Sequence, residues 1–358
     1  MDESLRERDG QIAENWYVAC LSRELGKVPL SRVIYDKPYV LFRDAQGLAC
    51  ILPDRCLHRH ALLSEGQIVR GELTCPYHGW RYDSVGTVTR IPSEGPNLQK
   101  LAARPLCLPA LPCLERDGVV WVWMGRKEHA TTEPPWRFPH YGEAGWSRYF
   151  MITDFDNEVT NLAENFMDVP HTTFVHRGWF RDPKPEDRSL PNTMTVETKQ
   201  GSVLVTYHQK KDEFSWFARL VLNPAGAEMV HTDRFIYPNL TRVDYRFGAN
   251  SHFIINSQIT PVGALKSRVY TFITFKLRRP FGALLKPVIR FYTRRVIEQD
   301  VRIMRNQGRS LSWDPKTTFH STDADEVHKA IERLRRWGSK GDEQLLRFET
   351  EKDTTFWT

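Results

Sequence analysis

The chain has 358 residues, 41% of them hydrophobic and 26% charged, which bounds it to about two or three domains of ordinary globular composition. A formal charge of +6 is too small and too scattered to mark a nucleic-acid binder. The longest apolar runs, such as Val119–Met124, fall far short of a bilayer span.

In chain order, residues 1–14 are polar and carry no apolar core of a secretory leader, so a loosely attached tail and a cytoplasmic location are expected. Residues 15–126 read as a small antiparallel β domain. Short apolar runs (Arg32–Tyr35, Tyr39–Phe42, Leu48–Ile51, Val119–Trp123) alternate with turn signals at Asp36–Pro38, Asp44–Gly47 and Asp83–Gly86. A Pro-rich connector, Glu133–Pro139, lies near the start of a second domain spanning 127–338. There the periodicity is helical around Asn157–Thr173, strand-like in stretches such as Ser202–Tyr207 and Arg268–Phe275, and helical again over Val288–Asn306 and Asp325–Arg336. The polar stretch 339–358 is expected to be a loosely packed tail. Lys276–Arg295 is the densest basic segment, interrupted by Phe281, Leu284, Leu285, Ile289 and Phe291. It reads as the solvated face of a helix, or as a docking surface for an acidic electron-donor protein. The fold class is α+β.

The chain has six cysteines, and this number in a cytoplasmic chain argues for free thiols or metal ligands over a disulfide framework. Only two have histidines at ligand spacing, in Cys56-Leu-His58 and, sixteen residues on, Cys75-Pro-Tyr-His78-Gly-Trp80. Two loops that each offer one thiolate and one imidazole suit a two-iron cluster with two sulfur and two nitrogen ligands. The competing assignment is a Cys₂His₂ zinc site, but zinc fingers pair Cys with Cys and His with His. Cys20, Cys50, Cys107 and Cys113 read as small apolar core residues.

The second constellation is Asn165-Phe-Met-Asp168-Val-Pro-His171, followed by His176. Asp168 and His171 share a face if the segment is helical, and Pro170 can disturb the helix so that His176 turns toward the same point. Two histidines and one carboxylate make the facial triad of non-haem Fe(II) oxygenases, which leaves positions open for O₂. A further carboxylate must come from elsewhere, and a later helix offers Glu298 and Asp300, either of which is otherwise an ordinary solvated side chain.

Residues 56–60 and 75–82 closely resemble the two cluster loops of the Rieske non-haem iron oxygenases of ring-hydroxylating and O-demethylating type. Leu57 stands where that family commonly has Pro, and His60 where it has Gly; His60 is read as a neighbour of the cluster and not a ligand. The spacing of Asn165, Asp168, His171 and His176 resembles the family's iron motif. The resemblance implies a Rieske [2Fe–2S] cluster on Cys56, His58, Cys75 and His78, and a mononuclear Fe(II) on His171, His176 and Asp300. It further implies that Asp168 bridges His171 to His78 of a neighbouring subunit in a head-to-tail homotrimer, with Asn165 supporting the site. The catalytic domain is then a helix-grip (START-like) fold. A ferredoxin or NAD(P)H-dependent reductase supplies electrons, and an apolar, aromatic or cyclic small molecule is hydroxylated, dihydroxylated or demethylated with O₂. Trp216, Phe217, Phe253 and Ile255, read as residues of later strands, are pocket candidates, although alternating strand residues equally serve as core. The rival readings are a Rieske electron carrier, a non-catalytic hydrophobic-ligand binder on the same scaffold, and a zinc-dependent nucleic-acid module.

Overall fold

Short apolar stretches separated by tight turns fold Ala13–Arg137 as one unit, and Phe138 onward, with residues 10–12, forms a second. The computed structural model describes residues 10–95, 105–131, 136–181, 190–208, 214–249, 251–277, 282–314 and 317–357. The expectation for residues 1–9 and part of the basic 276–295 segment therefore lies outside the described residues.

The first unit contains ten strands: β1 Trp16–Leu21, β2 Leu30–Ile34, β3 Lys37–Arg43, β4 Ala49–Pro53, β5 Gln67–Val69, β6 Glu72–Thr74, β7 Arg81–Tyr82, β8 Val88–Arg90, β9 Cys113–Arg116 and β10 Val119–Trp123. They form three antiparallel sheets, ordered β1-β10-β9, β2-β3-β4 and β5-β6-β7-β8. The turn chemistry is local. Asp44 Oδ1 accepts from the backbone N of Gln46 and Leu48, and Asp83 Oδ1 from Val85 and Thr87, so each aspartate side chain closes its own turn. Tyr35 and Asp36 both have positive φ, the two-residue geometry that matches strand twist between β2 and β3.

The second unit is an eight-stranded antiparallel sheet, built from β11 Ser147–Phe155, β12 Pro191–Lys199, β13 Ser202–Tyr207, β14 Met229–Ile236, β15 Leu240–Phe247, β16 Ser251–Gly263, β17 Lys266–Lys276 and β18 Thr350–Trp357. The order is β11-β17-β16-β15-β14-β13-β12-β18. Helices α1 Val159–Asn165, α2 Pro170–Val175, α3 Trp216–Leu222, α4 Lys286–Trp313, α5 Glu326–Ser339 and α6 Gln344–Arg347 accompany it. One apolar cluster joins α1 (Val159, Leu162), α4 (Met304) and α5 (Ile331, Leu334) to inward-facing Val203, Val205 and Phe235. A second joins Phe214, Tyr245, Phe253 and Ile273 to Ile289 and Tyr292 of α4.

Two contacts set α4 against the start of α1. Asn157, fully buried, donates to Met304 O at 2.9 Å and Gln307 Oε1 at 2.8 Å, while its own Oδ1 accepts from Glu158 N and Asn161 Nδ2. Gly308 of α4 lies so close that a β-carbon there would stand 2.0 Å from Asp156 O. Only glycine permits that approach.

Four expectations are corrected. The stretch 339–358 is not a loose tail. Its last eight described residues form β18, paired with β12 from Pro191↔Trp357 to Thr198↔Thr350, and Phe356 enters the core. Its polar composition concealed a strand of which only Thr354 and Phe356 are buried. Trp216 and Phe217 lie on α3 and not on a strand, because Ser215 Oγ accepts from Ala218 N and starts a helix there; Trp216 is 72% exposed. Cys107 is exposed, not core, and Cys113 is partly buried. The helical segment 157–173 is broken, with α1 ending at Asn165 and α2 starting at Pro170. Proline at the first helical position needs no N–H partner, and it prevents the earlier helix from running through.

Phe356→Ala is expected to cost about 3–5 kcal/mol by opening a core cavity. The check is a lower urea midpoint for the second unit with the transition slope unchanged.

Candidate metal centres and the cavity between helices and sheet

In the first unit, the two Cys/His loops fold alike. Cys56 N donates to Ala61 O at 2.9 Å and His60 N to Cys56 O at 3.0 Å; Cys75 N donates to Trp80 O at 2.8 Å and Gly79 N to Cys75 O at 3.1 Å. Each loop is thus a tight turn closed on its own cysteine. The fifth residue, His60 in one and Gly79 in the other, has φ of 58° and 69°. A left-handed backbone is natural for glycine and uncommon for histidine. His60 is exposed.

Both thiols are buried. Burial pushes the Cys75 thiol up, while the backbone N–H groups of Tyr77 and His78 pull the other way by donating to sulfur. Tyr82 OH lies 3.1 Å from Cys56 Sγ and accepts from Leu57 N, so it braces the first loop. The His58 and His78 rings meet edge to face at 4.5 Å, with Trp80 stacked on His58. His58 Nδ1 is buried without a protein partner. Among the described residues, three or more of these four donors do not converge within 4.8 Å, which a single tetrahedral zinc would require. Two thiols and two imidazoles supplied by two like loops fit the ligand set of a two-iron cluster.

In the second unit, one group of donors does converge: His171, His176 and Asp300, each with one ligand atom within 4.8 Å of the others. His176 Nε2 lies 3.2 Å and His171 Nε2 3.6 Å from Asp300 Oδ1, and the two Nε2 atoms are 3.2 Å apart. Two metal–nitrogen bonds of about 2.1 Å at a right angle place their nitrogens about 3 Å apart, so this spacing suits a shared cation. Asp300 Oδ1 is buried, and among the described residues its only polar neighbours are these two imidazoles, neither in good hydrogen-bond geometry.

The surroundings aim these atoms. Asp168 sits in the break between α1 and α2. Its Oδ2 accepts from His171 N at 3.1 Å, satisfying a free N–H at the helix start, and lies 3.4 Å from His171 Nδ1. Asp168 and His171 therefore meet through a helix cap and not along a continuous helix face. His176, at the C-terminal end of α2, donates from Nδ1 to Gln299 Oε1 at 3.1 Å, leaving Nε2 for the cluster. Burial pushes the His171 imidazole down, but Asp168 and Asp300 outweigh it and hold it up at about 10. Burial raises the Asp300 carboxyl, yet His171 and His176 hold it below the usual range. Burial and the neighbouring Asp168 carboxylate push Glu164 up to about 8.

Glu298, the rival carboxylate, faces Arg294 and Arg295 at 3.1 and 3.0 Å, away from the group. Asn165 is buried on the wall of the same cavity, with Oδ1 unpartnered, and makes no hydrogen bond to the triad. That cavity, about 140 Å³, has the triad on one side and Phe180, Val243, Phe253, Ile255 and Ile273 on others. Phe217 and Trp216 do not line it. Gln299 and Asn157 were not found by sequence reasoning. A glutamine beside a helix carboxylate carries no local signal, and an asparagine after a strand reads as an ordinary turn residue.

Residues 15–112 match the Rieske [2Fe-2S] domain, and residues 155–340 match the vanillate O-demethylase oxygenase C-terminal domain. The second match alone covers more than half of the chain, and the chain belongs to the Rieske non-haem iron oxygenase family. The oxygenase component of dicamba O-demethylase from Stenotrophomonas maltophilia is 36% identical over 171 residues, 46% of this chain and 48% of that protein. Chlorophyllide a oxygenase of Chlamydomonas reinhardtii is 33% identical over 225 residues, 55% of this chain and 33% of that protein. The chain thus spans a third to a half of these relatives' length. The crystal structure of dicamba monooxygenase bound to dicamba superposes with a TM-score of 0.76 at 21% identity, covering 92% of this chain and 98% of that one. The fold is therefore shared. Proteins of this family bind a [2Fe–2S] cluster and a mononuclear iron, and both donor sets above fit those groups.

Gln299→Leu is expected to weaken Fe(II) binding by about 10–100-fold through loss of the His176 tether. Competition with a chelator measures it, and unchanged circular dichroism shows that the fold is intact.

Proposed function

We propose that the chain is a cytoplasmic terminal oxygenase, using O₂ and electrons from a ferredoxin or NAD(P)H-dependent reductase to oxidise an apolar aromatic or cyclic small molecule. The observation that carries this reading is one apolar cavity ending on two histidine nitrogens and a buried carboxylate. A pure electron carrier has no use for that arrangement, and a passive ligand binder has no use for Asp300 at its cavity wall. The names of the similar proteins favour hydroxylation or oxidative demethylation.

In this reading Cys56, His58, Cys75 and His78 hold the cluster, and His171, His176 and Asp300 hold the iron. When bound there, the cluster would provide one-electron storage and the iron would provide reductive O₂ chemistry. The chain's own groups do the rest. Gln299 keeps the His176 hydrogen on Nδ1, and Asp168 stands beside His171 Nδ1, so both rings present Nε2 inward. The apolar wall binds the substrate and excludes water. Asp168, with its side chain 24% exposed, keeps an oxygen available for His78 of a second copy, which supports the head-to-tail homotrimer.

Metal and sulfide analysis tests this. About three irons and two acid-labile sulfides per chain are expected. Asp300→Ala is expected to lose about one iron while keeping the rhombic paramagnetic signal of a histidine-ligated cluster. An unchanged iron content would refute the assignment. Asp168→Asn is expected to leave cluster reduction by dithionite intact while substrate-coupled O₂ uptake falls about 10–100-fold.

A further inference from the structure

We propose that the outer faces of α3 and of the start of α4 dock on an anionic phospholipid surface. The docking rests on the oxygenase reading only for its purpose, which is to bring the cavity against the phase that holds an apolar substrate.

Trp216 of α3 is exposed, and so is Leu220 one turn further on. Leu284, in the 3₁₀ turn Gly282–Leu285 ahead of α4, is 71% exposed; Val288 and Phe291 follow it by four and three residues, which keeps them on one helix face, and Phe291 is 60% exposed. A chain of rings joins the two stripes. The Trp216 ring lies 5.8 Å from that of Phe217, which in turn lies 5.3 Å from that of Tyr292 on α4. Single exposed apolar side chains are ordinary, but five on two adjoining helices form a patch that favours burial against something.

Charge says what covers it. Lys286, Arg290 and Arg294 recur every four residues beside the apolar stripe, α3 carries Arg219 and no acidic residue, and the first acidic residue of α4 is Glu298. Glu298 engages Arg294 and Arg295, so the exposed Lys286 and Arg290 stand at the start of α4 with no acidic residue in its first turn. The positive end of the helix dipole adds to the same sign. An apolar stripe flanked by a basic row is the pattern of a helix lying on anionic lipid. Two-fold pairing of this face with itself would set basic rows against each other. An acidic protein would match the charge, but the inner faces of the same helices favour lipid. Ala218 and Val221 of α3 and Ile289, Tyr292 and Val296 of α4 line the cavity, so two helices alone stand between an apolar cavity and an apolar outer patch. Among the described residues no helix is long and apolar enough to cross a membrane, and the contact is therefore peripheral.

The test is co-sedimentation of the full, metal-loaded chain with vesicles of phosphatidylcholine alone and of phosphatidylcholine mixed with phosphatidylserine. Wild-type protein is expected to bind the anionic vesicles at least about tenfold more tightly, and less so as salt rises. Trp216→Ser together with Phe291→Ser is expected to weaken that binding at least about tenfold with circular dichroism unchanged. Lys286→Gln together with Arg290→Gln is expected to bring the two vesicle affinities within about twofold. Absent or equal binding by wild-type protein overturns the proposal without reference to any variant, and so does full binding by the Trp216/Phe291 variant. Retained preference for anionic vesicles in the Lys286/Arg290 variant overturns it as well. Binding of poly-L-glutamate by a chain that ignores vesicles would assign the surface to an acidic protein instead. A sedimentation coefficient that falls in the Trp216/Phe291 variant without vesicles would assign it to a second copy. No turnover enters these measurements. A chain that docks yet couples no O₂ uptake to product would sink the oxygenase reading alone, and one that turns over but ignores vesicles would sink the docking alone.

Discussion

Everything in the second unit depends on bringing three polar groups together where water hardly reaches. His176 and Asp300 are almost wholly buried, and charged or polar groups removed from water cost several kcal/mol each unless they are paired. The side chains that meet come from distant segments: His176 and its partner Gln299 are 123 residues apart. The fold meets this requirement with backbone-level anchors and not with the ligands themselves. Asn157 ties the start of α1 to two groups of α4, and Gly308 lets α4 lie against the chain at Asp156. With α4 set in that register, Asp300 faces the break between α1 and α2. The break matters as much as the helices, because it leaves Asp168 free to cap α2 beside His171.

Sequence patterns made the elements legible where local chemistry determines them. Asp44 and Asp83 close turns with their own side chains, and the strands flanking them follow from alternation alone. The spacing of His171 and His176 pointed to a common centre because Pro170 restricts which conformations that stretch can adopt. Where the determinant is another part of the chain, the pattern was silent or misleading. The strand Thr350–Trp357 is an edge strand with most of its side chains in water, so composition resembled that of a free tail. Trp216 and Phe217 look like strand residues, but the hydroxyl of Ser215 starts a helix there. Local spacing also could not choose Asp300 over Glu298. The choice follows from which side of α4 faces the core, and Glu298 is occupied by two arginines on the other side.

The first unit shows a different economy. Its two Cys/His loops repeat one turn geometry, each closed by hydrogen bonds to the backbone of its own cysteine. Repetition of a backbone shape, with the histidine at the third position in one loop and the fourth in the other, presents two sulfurs and two imidazoles, and Tyr82 and Trp80 brace the first loop. That is why the motif is readable from so few residues. The substitution of histidine for glycine at position 60 shows how strongly the turn is determined. The residue adopts the left-handed conformation despite its β-carbon, and the hydrogen bond from its own N–H to Cys56 O is kept.

Burial has opposite consequences at the two sides of the cavity, and together they account for its asymmetry. Apolar walls favour an uncharged ring and keep out water, which raises the strength of every remaining polar interaction inside. The same walls give an imidazole no solvent to bond, so a ring without an assigned partner is free to turn its other nitrogen inward. Asp168 and Gln299 remove that freedom for His171 and His176, and Asp233 with two flanking tyrosines removes it for His231. His176 and His231 are thus each hydrogen-bonded to a polar neighbour, and His171 has the Asp168 carboxylate 3.4 Å from its Nδ1. An apolar cavity can use imidazoles as directional groups only if such neighbours come with them. Their cost in buried polar surface is the consequence of placing directional groups in a cavity whose other walls are apolar.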